Sequence, residues 1–222
     1  MPMMVKIRDA MAKITFLLNF IKNGLVGHGM QAVQHDQYFA QHDFVFTRSS
    51  DYDLLDSAQT KSMIEDIRPD CVIHLAANVG GLFKNMSQKV EMFEHNMLMN
   101  MNVVRSCHES DVGQFVGMLS TCIFPDNTKY PINEDMLHNG APHTSNDAYA
   151  YAKRMLQVQC DAYREQHGRC YKCVIPTNVY GEHDNYNLQD AHVIPALIHK
   201  CHLARKNDEP FVVKGTGKPL RQ

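Results

Sequence analysis

Tyr149 and Lys153 form the clearest chemical pair in the sequence, a tyrosine and a lysine four residues apart in the segment YAYAK. If this segment is helical, the two side chains lie on the same face. A free phenol titrates near 10, and an ammonium group within about 4–6 Å favours the phenolate, lowering its pKa by about 1–3 units. The pair could therefore exchange a proton with a carbonyl group during hydride transfer. A tyrosine that packs on a lysine stem is the commoner arrangement, and Tyr151, on another face, fits that simpler role.

Ser120, Cys122 and His192 could act on the same reacting group. Ser120 follows the apolar run FVGML, so its hydroxyl could donate a hydrogen bond to the carbonyl that Tyr149 serves. Cys122 could act as a base if its thiolate were favoured, although a lone buried cysteine is more often inert packing. His192, in the segment DAHVIP, could supply a second acid–base group. Most single histidines are surface polar residues, and the chain has 13 of them.

Gly24 and Gly27 stand at the spacing of the last two glycines of the nucleotide-binding pattern G-x-x-G-x-x-G. Glycine lets the backbone turn tightly beneath a pyrophosphate that is held at the N-terminus of a helix. Ile21 occupies the position of the first glycine, and two glycines alone are equally compatible with an ordinary turn. Arg48, just past the second predicted strand, could pair with the 2′-phosphate of NADP, and a solvated loop charge is an equally good interpretation.

The cysteines and the remaining histidines do not form a metal-binding pattern. Cys170 and Cys173 have the C-x-x-C spacing without a second pair, and His199 and His202 lack an acidic partner motif, so no metal site is predicted. No G-x-S-x-G segment supports a serine hydrolase. An odd count of seven cysteines without a framework spacing indicates free thiols in a reducing compartment, and a cytoplasmic protein is expected.

Length and composition predict one globular domain, or one full domain and the start of another. The chain has 222 residues, of which 44% are hydrophobic, so it can bury a sizeable core. No apolar run reaches the roughly 18 residues that a membrane span needs, so no membrane association is expected. The net charge of −2 gives no bulk attraction to nucleic acid or to anionic lipid.

Short apolar runs alternate with longer helical patterns along the chain. The predicted strands are residues 15–18, 44–47, 71–76, 115–119, 173–176 and 211–213. The predicted helices are residues 27–39, 57–67, 87–110, 147–167 and 193–206. This alternation implies parallel strands joined by right-handed crossovers and predicts a doubly wound α/β domain. Ligands bind beyond the carboxyl ends of the strands in such a sheet.

Taken together, these pieces resemble the extended short-chain dehydrogenase/reductase family. The order is a glycine turn, LAANVGG, a serine after the fourth strand, Y-x-x-x-K and PTNVYG. Within that family the segments HLAANVGGLFKNM, LSTCIFPDNTKYPINEDMLHNGAPHTSN, YAYAKRM, IPTNVYGEHDNYN and HVIPALIHK resemble the GDP-L-fucose synthases. The resemblance runs from about residue 44 to residue 222.

The resemblance implies a fold, a cofactor and a reaction. Residues 1–15 would be a divergent N-terminal extension, residues 16–189 a Rossmann-type NADP-binding domain, and residues 190–222 only the beginning of a C-terminal substrate domain. Ser120, Tyr149 and Lys153 match the residues that reduce a C4 ketone with NADPH, whereas Cys122 and His192 match the pair that moves protons at C3 and C5. A homodimer formed through the tyrosine–lysine helix is also implied.

Contacts to the cofactor and the substrate follow from the same resemblance. The implied cofactor-binding residues are Gly24, Leu25, Val26, Gly27, Arg48, Met118, Leu119, Ser120, Thr121, Lys153, Pro176, Thr177, Asn178, Val179 and His192. The implied GDP-sugar-binding residues are Lys200, Lys214 and Arg221. Ile21 and Lys214 depart from the family, which has glycine and usually tryptophan there, and the family continues beyond the last residue of this chain.

Three hypotheses follow. The first is an NADPH-dependent epimerase-reductase that converts GDP-4-dehydro-6-deoxy-D-mannose to GDP-L-fucose. The second is a truncated, inactive relative that binds nucleotide weakly or associates with full-length subunits, which Ile21 and the short length favour. The third is a related sugar-nucleotide epimerase or dehydratase, against which Cys122 and His192 argue.

Overall fold

A computed structural model describes residues 15–19, 24–189 and 191–217 of the chain. Its strands are β1 Thr15–Asn19, β2 Asp43–Thr47, β3 Cys71–His74, β4 Gln114–Met118 and β5 Cys170–Val174. Its helices are α1 Leu25–Val33, α2 Ser57–Ile67, α3 Leu82–Ser87, α4 Lys89–Glu109, α5 Asp147–His167 and α6 Val193–Asn207. Ile21, Arg221 and nearly all of the expected N-terminal extension lie outside the described residues.

The five strands form one parallel sheet in the order β2-β1-β3-β4-β5. The chain runs outward from β1 to β2 and then crosses β1 to reach β3, so the strand order reverses between β1 and β3. The prediction of a doubly wound, Rossmann-like α/β fold is confirmed. In such a sheet the crevice between the two reversing strands, outside their carboxyl ends, is the preferred place for a ligand.

The core lies between the sheet and the helices α2, α4 and α5. Leu17, Val72 and Phe115, on three neighbouring strands, are completely buried. They belong to one apolar cluster that also contains Val103 of α4 and Leu156 of α5. Strands that are buried on both faces need nearly continuous apolar sequence, which the runs CVIHLA and FVGML supply.

A side-chain hydrogen-bond cap begins α2, and a glycine ends α5. The carboxylate of Asp56 accepts hydrogen bonds from the backbone N–H groups of Ala58, at 2.8 Å, and Gln59, at 3.2 Å, which fixes the start of α2. Helix α5 ends at Gly168, whose φ of +64° favours glycine because a side chain is strained there. The predicted limits of these two helices, residues 57–67 and 147–167, are confirmed.

Other predicted elements differ from the structure. Helix α1 begins at Leu25, after the extended residue Gly24, and ends at Val33, because Asp36 closes a turn by accepting from the backbone of Tyr38. The predicted strand at residues 211–213 has no regular structure, since β-type residues without a neighbouring strand have no ladder to join. Strand β5 begins three residues before its predicted start, so Cys170 and Cys173 both lie within it.

No helix in the part of the chain that the structure describes is long and apolar enough to cross a membrane.

Candidate active site

The chain leaves β4 through a single turn of 3-10 helix at Thr121–Ile123. Ser120 precedes this turn, and its Oγ accepts a hydrogen bond of 3.5 Å from the backbone N–H of Cys122. A capping serine that satisfies a backbone donor in this way fixes the direction in which the chain leaves the sheet. Ser120 and Cys122 are both half-buried, and they lie together at the carboxyl end of β4.

Helix α5 brings Lys153 and Tyr149 to the same end of β4. Lys153 is only 1% exposed, and its Nζ donates a hydrogen bond of 2.8 Å to the backbone carbonyl of Met118, the last residue of β4. The ammonium nitrogen lies 5.9 Å from the centroid of the Tyr149 ring, one helical turn earlier. The four-residue spacing therefore places both groups on the helix face that meets the sheet.

Burial controls the protonation of these groups. It lowers the pKa of Lys153 to about 8, against the smaller opposing effects of Cys122 and Cys173. Burial also raises the pKa of Tyr149, and the nearby Cys122 raises it further. The expectation of a lowered Tyr149 pKa is wrong for this structure, because burial of the phenol outweighs the attraction of the Lys153 ammonium group, which is bonded to Met118. Burial likewise raises the pKa of Cys122, although Ser120 and Lys153 act in the opposite direction.

His192 is not bonded to this cluster among the described residues. It is exposed and precedes α6, where its backbone carbonyl accepts from the N–H of Ala196 at 3.0 Å. Among the described residues no hydrogen bond or ion pair links His192 to Cys122 or Tyr149. The structure thus brings together Ser120, Cys122, Tyr149 and Lys153, four of the five residues predicted to be catalytic.

The N-terminus of α1 lies after β1, beside the reversal of strand order. Gly24 takes an extended conformation there, and its carbonyl accepts a hydrogen bond of 3.1 Å from the N–H of His28. Because glycine has no side chain, nothing at that position competes for the N–H groups of the first turn, which an anion can use. Gly27 is buried within the helix, and Leu25 and Val26 are half-buried beside it.

A cavity of about 390 Å³ opens at the carboxyl ends of β2 and β3. Its walls include the apolar side chains of Leu54 and Ala76, from the loops after β2 and β3, and of Met99 from α4. Arg48 and Asp53 supply charge at this cavity, and Arg48 is exposed to solvent. Cavities with apolar walls and a few charged groups are typical sites for a nucleotide base and sugar.

Two asparagines of α4 hold the loops that line this cavity. The buried Asn102 donates from Nδ2 to the backbone carbonyls of Leu54, at 2.9 Å, and Leu55, at 3.1 Å. Asn96, which is completely buried, accepts from the N–H of Asn78 at 2.9 Å and donates to its carbonyl at 3.0 Å. The loops after β2 and β3 are therefore fixed by side chains rather than by sheet pairing.

Several lining residues were not predicted from the sequence. Asn78, which lies in the segment AANVGG just after β3, could have been found by the rule that selected Ser120 after β4. Glu91 and His95 lie in the first two turns of the Met-rich helix α4, and no local signal connects them with the end of β2.

The remaining predicted contacts are spread along the same edge of the sheet and beyond it. Pro176 is half-buried just after β5, whereas Thr177, Asn178 and Val179 are exposed. The N–H of Leu119 donates to the carbonyl of Val174 at 2.9 Å, which keeps the chain after β4 beside the end of β5. Lys200 on α6 and Lys214 after it are exposed, and Arg221 lies outside the described residues.

The described titratable side chains are not clustered as metal ligands are. No group of three or more His, Cys, Asp and Glu side chains within residues 15–19, 24–189 and 191–217 is arranged to hold a metal ion. All seven cysteines are free thiols, and Cys170 and Cys201 are exposed.

Comparison with known proteins identifies one family and relatives that share one name. The model of the NAD dependent epimerase/dehydratase family matches residues 21–222. The chain is 54% identical over 200 residues to a GDP-L-fucose synthase of Dictyostelium discoideum, covering 90% of this chain and 62% of that protein. It is 35% identical over 181 residues to a GDP-L-fucose synthase of Escherichia coli, covering 81% of this chain and 56% of that protein. The chain thus spans less than two thirds of the length of these curated relatives.

A solved structure agrees with both the fold and the family. The GDP-L-fucose synthetase of Naegleria fowleri bound to NADP superposes with a TM-score of 0.86 at 44% identity, over 94% of this chain and 64% of that one. The parallel sheet, the Tyr–Lys helix and the match over residues 21–222 lead to one conclusion. This chain belongs to the NAD dependent epimerase/dehydratase family.

Proposed function

We propose that this chain carries the cofactor-binding and proton-transfer residues of a GDP-L-fucose synthase. The reaction is the NADPH-dependent conversion of GDP-4-dehydro-6-deoxy-D-mannose to GDP-L-fucose, by epimerisation at C3 and C5 and then reduction at C4. The observation that carries the proposal is the meeting of Ser120, Cys122, Tyr149 and Lys153 at the end of β4. Relatives that bear this name in Dictyostelium discoideum and Escherichia coli support it.

NADP(H) fits the crevice at the reversal of strand order. Leu54, Ala76 and Met99 offer apolar walls for the adenine, and Arg48 offers a cation for the 2′-phosphate. The N-terminus of α1, from Gly24 to Gly27, would hold the pyrophosphate. The segments 118–121 and 176–179 would contact the nicotinamide half, and Lys153 would bind its ribose.

Reduction at C4 needs a proton for the oxygen while NADPH supplies the hydride. Tyr149 is the donor in this proposal, and the raised pKa of its phenol keeps the proton on the oxygen at neutral pH. Ser120 would donate a second hydrogen bond to the same oxygen. The Lys153 ammonium favours the phenolate that forms once Tyr149 has given up its proton.

Epimerisation at C3 and C5 needs a base on one face and an acid on the other. The C4 ketone acidifies both neighbouring C–H bonds, and donors such as Ser120 and Tyr149 would stabilise the enolate oxygen. Cys122 would remove or return one proton. His192 would serve as its partner, and Lys200, Lys214 and Arg221 would bind the GDP-sugar from the region that begins near residue 190.

The outer surfaces of α4 and α5 suit a homodimer. These two helices pack against each other on the sheet, yet they leave several large apolar side chains exposed. The exposed side chains are Val90, Phe93, Leu98, Met101, Tyr151 and Val158. Exposed apolar side chains on neighbouring helices favour association with a second copy. The seven free thiols suit a reducing compartment, and we place the protein in the cytoplasm.

The test is a product assay with the purified chain, NADPH and GDP-4-dehydro-6-deoxy-D-mannose. The proposal expects oxidation of NADPH together with a product that co-elutes with GDP-L-fucose. The preparation must contain no full-length enzyme from another source. A folded chain that binds the cofactor but forms no product would then contradict the assignment of this activity to the chain.

A further inference from the structure

Arg154 is a buried arginine that directly follows Lys153 on α5. Its side chain is only 4% exposed, and its Nε donates a hydrogen bond of 2.7 Å to the backbone carbonyl of Ile123. Ile123 closes the same 3-10 turn that contains Cys122. Arg154 therefore fixes, from the neighbouring helix, the turn in which the thiol is held.

No carboxylate of the described residues pairs with the guanidinium group of Arg154. Its Nη2 is buried and has no hydrogen-bond partner among the described residues. Its Cζ lies 5.5 Å from the centroid of the Tyr151 ring, and no ion pair between described residues includes it. An arginine keeps its proton in proteins, so this position carries a permanent positive charge in the interior. Burying a charge without a counter-ion is unfavourable, which makes its location informative.

The bond to Ile123 places this charge against the turn that holds the Cys122 thiol. Burial is the largest influence on the pKa of Cys122 and raises it, whereas the Ser120 hydroxyl, Lys153 and Arg154 all lower it. The phenol of Tyr149 also interacts electrostatically with this thiol. Within the described chain, the titratable groups around Cys122 are thus Tyr149, Lys153 and Arg154, all from α5.

We propose that Arg154 is a positioning residue for Cys122, because it fixes the Cys122 turn through Ile123 and stabilises the Cys122 thiolate through its unpaired charge. The catalytic meaning of this role rests on the proposed function. When the thiolate takes a proton from carbon, the C–H bond breaks, an S–H bond forms, and the electron pair passes to the C4 oxygen as an enolate. A cation that favours the thiolate increases the share of enzyme ready for this step.

The test measures the thiolate itself and not turnover. The purified full chain is alkylated with iodoacetamide across a pH series, and the modified Cys122 peptide is quantified by mass spectrometry, which separates it from the other six cysteines. R154Q removes the charge but keeps a donor for the Ile123 carbonyl, whereas R154K keeps the charge. R164Q is the matched control, because Arg164 lies on the same helix, is half-exposed and pairs with Asp161 at 2.6 Å.

The expected result is a rise in the alkylation midpoint of Cys122 in R154Q, with R154K and R164Q at the midpoint of the wild-type chain. Equal midpoints in R154Q and the wild-type chain would overturn the proposal, as would an equal shift in R154Q and R154K. R154M is made as a second neutral variant. If neither neutral variant folds by near-ultraviolet circular dichroism, Arg154 is a structural residue only, and the proposal fails. If R154Q shifts the alkylation midpoint of Cys122 but the wild-type chain forms no GDP-L-fucose, the effect of Arg154 on the thiolate stands and the proposed function is rejected.

Discussion

The ammonium group of Lys153 donates a 2.8 Å hydrogen bond to the backbone carbonyl of Met118. This bond joins the middle of one face of α5 to the last residue of β4, across a sequence distance of 35 residues. It holds the Tyr149 phenol and the Ser120 turn at one end of the sheet. A buried cation that is bonded to a carbonyl, and not to a carboxylate, remains available to stabilise a negative charge that forms beside it.

Replacement of Tyr149 by phenylalanine should abolish reduction and leave the fold intact. The change removes only the hydroxyl that would protonate the C4 oxygen, so NADPH oxidation should fall by at least about 100-fold. The measurement is NADPH absorbance with GDP-4-dehydro-6-deoxy-D-mannose present. Y151F is the matched control, because Tyr151 is partly exposed on another face of α5, and it should keep wild-type turnover. Retained activity in Y149F would remove Tyr149 from the proposed mechanism.

Replacement of Lys153 by methionine should change how stability depends on pH. Burial lowers the pKa of Lys153 to about 8, so between about 8 and the ordinary value near 10.5 the unfolded chain binds more protons than the folded chain. The contribution of Lys153 to the free energy of unfolding therefore rises with pH across this window, by up to about 3 kcal/mol. In K153M this rise should be absent.

The measurement for this prediction is urea denaturation of both chains at a series of pH values from 7 to about 10.5. The difference between the two chains isolates Lys153, because the cysteines titrate in both. If the difference in free energy of unfolding between the two chains stays constant with pH, folding does not shift the pKa of Lys153. K153M should also lose reduction, since the cation that favours the Tyr149 phenolate is gone.

Replacement of Cys122 by serine should separate the two chemical steps. A serine hydroxyl is a far weaker acid than a thiol, so exchange of the C3 and C5 hydrogens with deuterated water should fall by about 100-fold or more. Because burial raises the pKa of Cys122, exchange in the wild-type chain should increase as the pH rises above neutrality. Nuclear magnetic resonance of the recovered sugar nucleotide measures the exchange. NADPH affinity should stay near normal in C122S, and C201S, at an exposed thiol on α6, is the control.

Replacement of Arg48 by glutamine should affect NADPH more than NADH. Arg48 lies at the cavity beyond β2, where it would face the 2′-phosphate that only NADPH carries. Loss of one charge-assisted contact should weaken NADPH binding by roughly 10-fold and leave NADH binding unchanged. Fluorescence titration with each cofactor gives both constants. The control is R105Q, at an exposed arginine of α4 that does not line the cavity, and equal losses for both cofactors in R48Q would contradict the role.

The strand–helix alternation and the Tyr149–Lys153 pair could be predicted because they depend on local periodicity. The predicted boundaries of α2 and α5 agree with the structure, where a capping aspartate begins α2 and a glycine closes α5. The predicted strand at residues 211–213 failed, because β-type residues form a strand only where a partner strand is present, and local pattern contains no information on partners.

The environment of each site residue could not be predicted from spacing. The opposite pKa shifts of Tyr149 and Lys153 arise from burial, which depends on how α5 packs on the sheet. The contact of Arg154 with Ile123 joins residues 31 positions apart, so no local pattern in the sequence predicts it. The cavity beside Arg48 combines the loop after β2 with side chains of α4, so only the folded chain shows it.

The most direct test of the central claim is NADPH binding to the purified 222-residue chain, measured by isothermal titration calorimetry. We expect one site per chain with a Kd in the micromolar range, because the α1 N-terminus, the cavity beside Arg48 and Lys153 are all in place along one edge of the sheet. No heat of binding at millimolar NADPH, from a chain that is folded by circular dichroism, would contradict it.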